Sequence, residues 1–240
     1  MHPRGNDAKI ALICVTIETR KGGVLVKIMF SAGEVSGDLH GARLATEILR
    51  LAPNAALFGF GGDSMAAAGV TLWKHFKDYN IMGVWEVLEN LGRILKLLDY
   101  LSERMAEERP DLLVLIDYPD FNWRLARRAK ALGIPVFSYI PPSAWAWRKG
   151  RAKDCASLAD EFIAIFPHEL PVYEAAGAKI SFVGNPLVDT VKREMTDDAA
   201  REFFGVDADE PLVLLMPGSR AQEIRRLTTP MLEAAELIAK

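Results

Sequence analysis

Val26-Lys27-Ile28-Met29-Phe30-Ser31-Ala32-Gly33-Glu34-Val35-Ser36-Gly37-Asp38-Leu39-His40-Gly41 is the stretch on which the fold turns. It opens with a short β-branched and aromatic run, which reads as a buried strand. Glycines follow at Gly33, Gly37 and Gly41. Ser36 stands where an N-cap belongs, and Leu44, Ile48 and Leu51 then recur on one helical face, with Ala45 and Leu49 beside them. A strand feeding a glycine turn and a helix N-terminus predicts the first unit of a parallel α/β domain. Such a helix start offers unpaired N–H groups to an anion or a sugar hydroxyl. The same glycines also suit a plain tight turn. Their spacing is not Gly-x-Gly-x-x-Gly, so no dinucleotide site is assigned.

The chain around this unit has 240 residues, half of them apolar, and a formal net charge of -3. That is enough for one large or two modest domains with real cores. The balanced charge argues against a nucleic-acid partner. Two cysteines, Cys14 and Cys155, have no metal-like spacing and fit a reducing compartment. No apolar run is long enough to span a bilayer. Upstream of Val24, residues 1–23 lack the layout of a signal peptide. They are expected to be an extension from a start codon placed too early, with an extra edge strand over Ile10 to Ile17 as the competing expectation.

Downstream, Ala56 to Phe60 reads as the second strand, with Asp63 as N-cap of a short helix and Val70 to Trp73 as the next strand. From Met82 to Leu101, Val84, Val87, Leu88, Leu91, Leu95 and Leu98 repeat at helical spacing, with Met82, Trp85 and Ile94 broadening the apolar side. That stripe suits a helix packed on a sheet. It equally suits a surface for acyl chains or a membrane interface, where Trp and basic residues such as Arg93 and Lys96 are favoured. Asp111 to Ile116 is a continuous apolar run, as in a central parallel strand. It delivers Asp117 to the carboxyl end of the strand, where ligands of open α/β sheets gather. Asp120 has the simpler task of capping the next helix, so Asp117 ranks above it as a catalytic candidate.

Three further strands follow, around residues 133–140, 161–165 and 179–183. The second of them delivers Phe166-Pro-His168-Glu169. The first delivers a loop with two prolines, Pro141 and Pro142, and two tryptophans, Trp145 and Trp147. That loop is read as a rigid cover over a core or as a pocket wall. After Thr190 a second unit is expected: a helix from Asp197 to Phe204 stopped by Gly205, a strand from Pro211 to Leu215, a turn at Gly218 and Ser219, and a helix interrupted by Pro230. One such unit has nothing to pair with, so the chain is expected to be truncated.

The segments SAGEVSGD (31–38), GVWEVL (83–88), IDYPDFN (116–122), SAWAWR (143–148), FPHE (166–169), VGNPLVD (183–189) and PGSR (217–220) occur in the order seen in lipid-A-disaccharide synthase. The sequence resembles that family from about Val24 to its end. It departs from the usual pattern at Pro141, at His168 and at Asn185, where a histidine is common. The resemblance implies an α/β glycosyltransferase B fold of two Rossmann-like doubly wound domains. Residues 24–190 would form the acceptor-side domain and 191–240 the incomplete start of the UDP-sugar-binding domain. It implies transfer of 2,3-diacylglucosamine from its UDP derivative to 2,3-diacylglucosamine 1-phosphate, in lipid A biosynthesis.

The resemblance also implies site residues. Asp117 matches the proposed general base and Arg220 the motif arginine near a diphosphate or phosphate, a task suited to its charge and forked donors. Glu34, Ser36, Asp38, Asn122, Ser143, Trp145, Trp147, Asn185, Gly218 and Ser219 match substrate-side motif positions. For Glu34, Ser36 and Asp38, turn stabilisation is an equal alternative. Met82 and Trp85 would meet acyl chains or the inner face of the cytoplasmic membrane, making the protein peripheral and cytoplasmic. No cofactor and no metal is implied, and a homodimer is compatible. Two other classes stay open: a Rossmann-type nucleotide enzyme and a non-catalytic module binding acylated glucosamine phosphate.

Overall fold

The structure is a computed structural model that describes residues 26–79, 84–142, 150–219 and 221–239; the side chains of residues 84–91 and 151 lie outside the description. The chain divides into two compact units, Met1–Val191 and Lys192–Lys240.

In the first unit the expected opening holds. β1 (Lys27–Ala32) runs through the Gly33 turn into α1 (Val35–Leu51). β2 (Ala56–Gly61), α2 (Asp63–Ala67), β3 (Thr71–His75), α3 (Val84–Glu108) and β4 (Leu112–Ile116) follow. Then come α4 (Pro119–Ala131), β5 (Val136–Tyr139), α5 (Gly150–Ala156), β6 (Glu161–Ala164), α6 (Leu170–Ala175), β7 (Ile180–Phe182) and α7 (Leu187–Thr190). The strands form one parallel sheet in the order β3-β2-β1-β4-β5-β6-β7. Strand order therefore reverses between β1 and β4, which is where open α/β sheets bind ligands.

The inner strands feed two cores by alternation. Met29, Leu113 and Leu115 face a layer containing Leu97, Leu98, Leu101 and Met105 of α3 and Phe121, Leu125 and Ala129 of α4. Ile28, Phe30, Val114 and Ile116 face Leu44, Ala45 and Ile48 of α1. All five residues of β4 are buried, as its unbroken apolar run requires. At the carboxyl-terminal end of the 82–101 stripe, Ile94, Leu98 and Leu101 therefore pack on the core, whereas Leu95 is exposed. Met82 and the Trp85 side chain, on which the membrane reading rests, lie outside the described residues, as does the 10–17 run.

Three expected N-caps are corrected. Helix α1 starts at Val35 with Glu34 as its cap residue, and Ser36 is an exposed residue of the first turn. Gly62 rather than Asp63 occupies the cap of α2, because the carboxylate of Asp38 fills that role from α1. Tyr118 rather than Asp120 caps α4, because Pro119 takes the first helical position, where its missing N–H costs nothing.

In the second unit, α8 (Asp197–Phe204) is capped by Thr196, whose hydroxyl accepts from the Ala199 N–H at 3.3 Å. It stops at Gly205 in a left-handed conformation, φ 65°, as read from the sequence. The strand expected at Pro211 to Leu215 is absent, and Leu212, Leu214 and Met216 are well exposed. A parallel strand exists only through a neighbour's ladder, and no strand is present among the described residues of this unit. Pro230 does not interrupt α9 (Ala221–Ile238), which runs through it with the loss of an N–H donor.

Candidate active site

The Gly33 and Asp117 turns lie side by side, because β1 and β4 are hydrogen-bonded neighbours with Ala32 opposite Ile116. Sequence motifs more than eighty residues apart thus meet at the switch point. Asp117 follows the last residue of β4, half-buried, and its N–H donates to the Tyr139 carbonyl at 3.3 Å. Both Asp117 and Tyr118 are left-handed, each with φ 49°. Non-glycine residues held there cost about 1–3 kcal/mol apiece and cluster at functional sites.

Asn122 holds this turn. Its amide NH2 is directed at the carbonyls of Asp117 (2.6 Å), Ser31 (3.2 Å) and Ile116 (3.4 Å), and its Oδ1 accepts from the Ser31 hydroxyl at 2.6 Å. Its backbone N–H also donates to the Tyr118 carbonyl. Buried at 1% exposure, Asn122 ties the two strand ends together and spends its hydrogen-bonding capacity inside the protein.

Asp38 is likewise buried. Oδ1 accepts from the N–H groups of Gly62 (2.7 Å) and Met65 (3.1 Å), and Oδ2 from that of Ser64 (2.9 Å). An acidic side chain from α1 thus satisfies the orphan donors of α2, where the helix dipole favours negative charge. This is the turn-stabilising alternative for Asp38. Glu34 is half-buried at the start of α1, close enough to Tyr118 for its charge to be felt by the phenol. The catalytic candidate Asp117 and, of the substrate-side candidates, Glu34 and the exposed Ser36 lie at the rim of the switch point.

Elsewhere, Asn185 forms a local turn, its Oδ1 accepting from the Leu187 N–H at 2.9 Å. In the second unit, Gly218 has φ 115° and the Ser219 N–H donates to the Glu223 carboxylate at 3.0 Å. Ser143, Trp145, Trp147 and Arg220 lie outside the described residues.

Two features escaped the sequence reading. Ser31 looked like an ordinary strand residue, and its pairing with Asn122 links positions 91 apart. His40 packs edge-on to Tyr139 at 5.9 Å, and its Nδ1 is buried without a hydrogen-bond partner among the described residues. Burial, and then the Arg43 charge, hold its pKa below the ordinary value. A depressed pKa gives stability that is present above the unfolded value and is lost as pH falls through the folded one. Acidification from about pH 7 to about pH 5 is therefore expected to lower the melting temperature less in His40→Phe, which keeps the ring contact and gains no charge. Equal drops in thermal melts of the two proteins would refute this.

Comparison with known proteins now bears on this geometry. Residues 28–240 match the family model for lipid-A-disaccharide synthetase. The chain belongs to that family. A lipid-A-disaccharide synthase of Syntrophus aciditrophicus is 44% identical over 213 residues, covering 89% of this chain and 56% of the relative. Those of Geobacter metallireducens and Myxococcus xanthus are 46% and 43% identical, covering 88% and 89% of this chain. The chain spans about half the length of the curated relatives it matches. Among solved structures, Glycyrrhiza uralensis UGT73P12, complexed with glycyrrhetinic acid 3-O-monoglucuronide, overlaps 67% of this chain and 49% of its own at 12% identity and a TM-score of 0.44. Segments 31–38 and 116–122, both within the matched region, are brought together by the sheet at the switch point.

Proposed function

We propose that the complete protein is a lipid-A-disaccharide synthase. It transfers 2,3-diacylglucosamine from UDP-2,3-diacylglucosamine to 2,3-diacylglucosamine 1-phosphate, releasing the β-1,6-linked disaccharide 1-phosphate and UDP. The observation that carries this reading is the meeting of two family motifs at the switch point of the sheet, in a chain matched to the family from residue 28 onward.

A β linkage from an α-linked UDP sugar is an inverting displacement. The acceptor 6-hydroxyl loses its proton to a base, its oxygen bonds to the anomeric carbon, and the bond to UDP breaks on the opposite side. Asp117 is the base in this reading, delivered by a rigid buried strand and a strained turn. Arg220, with Gly218 and Ser219, carries the charge of the diphosphate or of the acceptor phosphate. Glu34 and Ser36 meet the acceptor, and Ser143, Trp145, Trp147 and Asn185 complete its surroundings. In domain terms, 24–190 is the acceptor side and 191–240 begins the UDP-sugar side of a glycosyltransferase B fold. By itself the 240-residue chain is expected to be inactive.

The test is UDP release by the complete protein, which should require both acylated substrates together. Binding of the acceptor without UDP release would favour the non-catalytic module instead.

The substrates are acylated, and no helix among the described residues is long and apolar enough to cross a membrane. Because its proposed substrates are acylated, the protein is read as peripheral at the inner face of the cytoplasmic membrane of a Gram-negative cell, with Met82 and Trp85 as contacts. Trp85→Ser in the complete protein should weaken vesicle flotation and leave the melting temperature unchanged. Unchanged flotation with a lower melting temperature would make Trp85 a core residue.

A further inference from the structure

The left-handed pair Asp117–Tyr118, each at φ 49°, stays in place against backbone strain. Asn122 holds its carbonyls, and the side chain of Tyr118 reaches from the turn to Gly33. There the ring of Tyr118 lies in the space that a side chain on residue 33 would need. A Cβ at Gly33 would fall well inside van der Waals contact of Cδ1, Cγ and Cε1 of that ring, the last at 2.6 Å. Phe121, one turn into α4, meets the ring from its own helix at 5.7 Å between centroids. The ring therefore spans the β1–α1 turn, which carries Glu34, and the β4–α4 turn, which carries Asp117.

We infer that Tyr118 is a positioning residue for Asp117: its ring, seated where glycine leaves room at position 33, wedges the strained Asp117–Tyr118 turn against the β1–α1 turn. The consequence for catalysis rests on the reading of Asp117 as the base; the wedge itself does not. Without the ring, the turn keeps its backbone hydrogen bonds to Asn122 and Tyr139 but loses the contact that presses it against the β1–α1 turn, and the Asp117 carboxylate shifts with it. The phenol hydroxyl is not needed for this. Burial, then the charges of Glu34 and Asp120, push its pKa up, so the ring stays neutral in the working range.

The experiment uses the complete protein with Tyr118→Phe, Tyr118→Ala, Gly33→Ala and the double Gly33→Ala/Tyr118→Ala variant. Amide hydrogen exchange is followed at Asp117 and Asn122, whose N–H groups donate to the Tyr139 and Tyr118 carbonyls, with β1 amides as internal reference. Steady-state kinetics are measured alongside. Tyr118→Ala should speed exchange at both amides by about tenfold or more and lower kcat by about 10–100-fold with little change in acceptor KM, the size expected when a base is displaced by an ångström. Tyr118→Phe should keep the protection and hold kcat within about threefold, since it keeps the ring. Gly33→Ala should resemble Tyr118→Ala, because its Cβ evicts the ring, and the double variant should be no worse than either single one. Tyr118→Leu, which keeps bulk without the flat ring, replaces Tyr118→Ala should that variant fail to fold.

Unchanged exchange in Tyr118→Ala would overturn the wedge. So would additive losses in the double variant, or a Tyr118→Phe variant as impaired as Tyr118→Ala. Should the unsubstituted protein release no UDP, the glycosyltransferase reading falls, and the exchange measurements still decide the wedge.

Discussion

Asp117→Asn in the complete protein is expected to lower turnover by about 10²–10⁴-fold, the usual worth of general-base catalysis. The substitution keeps the size of the side chain and one acceptor oxygen, and removes the basic site. It also suits the backbone, since asparagine is among the residues that tolerate the left-handed conformation found at position 117, φ 49°. The Asn122 hydrogen bond to residue 117 goes to the main-chain carbonyl and survives. Donor and acceptor binding should change much less than kcat, because the loss falls on the transition state. Asp120→Asn is the control. Asp120 is exposed in the first turn of α4 and is not its cap, so its loss should cost no more than about 0.5 kcal/mol of stability and little activity. Stopped-time product assays, with circular dichroism to verify folding, separate the cases. Near-normal turnover by Asp117→Asn removes Asp117 from the mechanism, and loss of the fold makes its role structural.

The second large effect is on stability. Asp38→Ala should destabilise the first unit by about 3–4 kcal/mol, because three backbone N–H groups lose a charged acceptor in a nearly dry setting. Asp38→Asn should recover part of this, since one carbonyl oxygen can still accept while its NH2 faces the remaining donors. Denaturant midpoints measured at an unchanged slope provide the comparison. A loss below about 1 kcal/mol in Asp38→Ala would show that water replaces the carboxylate, and that α2 does not depend on α1 for its cap.

The two effects mark how far this chain could be read before its structure. The parallel sheet was legible because its signals are local: the Val26–Gly41 unit, the unbroken apolar β4, and helical periodicity over α3. The position of Asp117 followed from the same logic, since a strand's carboxyl end is written in the residues that follow it. What was not legible depends on distant partners. Asp38 reads as a turn acid or a ligand contact until α2 is seen to lay its N–H groups on it, 24–27 residues away. That long-range cap is also why Asp63 lost the role its sequence position suggested, its carboxylate pairing with His75 and Lys77 instead. Asn122 looked like a ligand residue and is a clamp between β1 and β4. The strand expected at 211–215 had the right composition, but a ladder needs a second strand and composition cannot supply one. Tyr118 sat in plain view within IDYPDFN, and only the absence of a Cβ at Gly33 gives its ring a place.

The reaction proposed for the complete protein is an inverting glycosyl transfer. The most direct measurement is the structure of the product made by the complete protein from UDP-2,3-diacylglucosamine and 2,3-diacylglucosamine 1-phosphate. Mass spectrometry and the proton coupling at the new anomeric centre together identify it. The expected product is a β-1,6-linked tetraacyl disaccharide 1-phosphate, formed in step with UDP. An α linkage would contradict the direct displacement assigned to Asp117, and free diacylglucosamine with no disaccharide would contradict transfer to a sugar acceptor altogether.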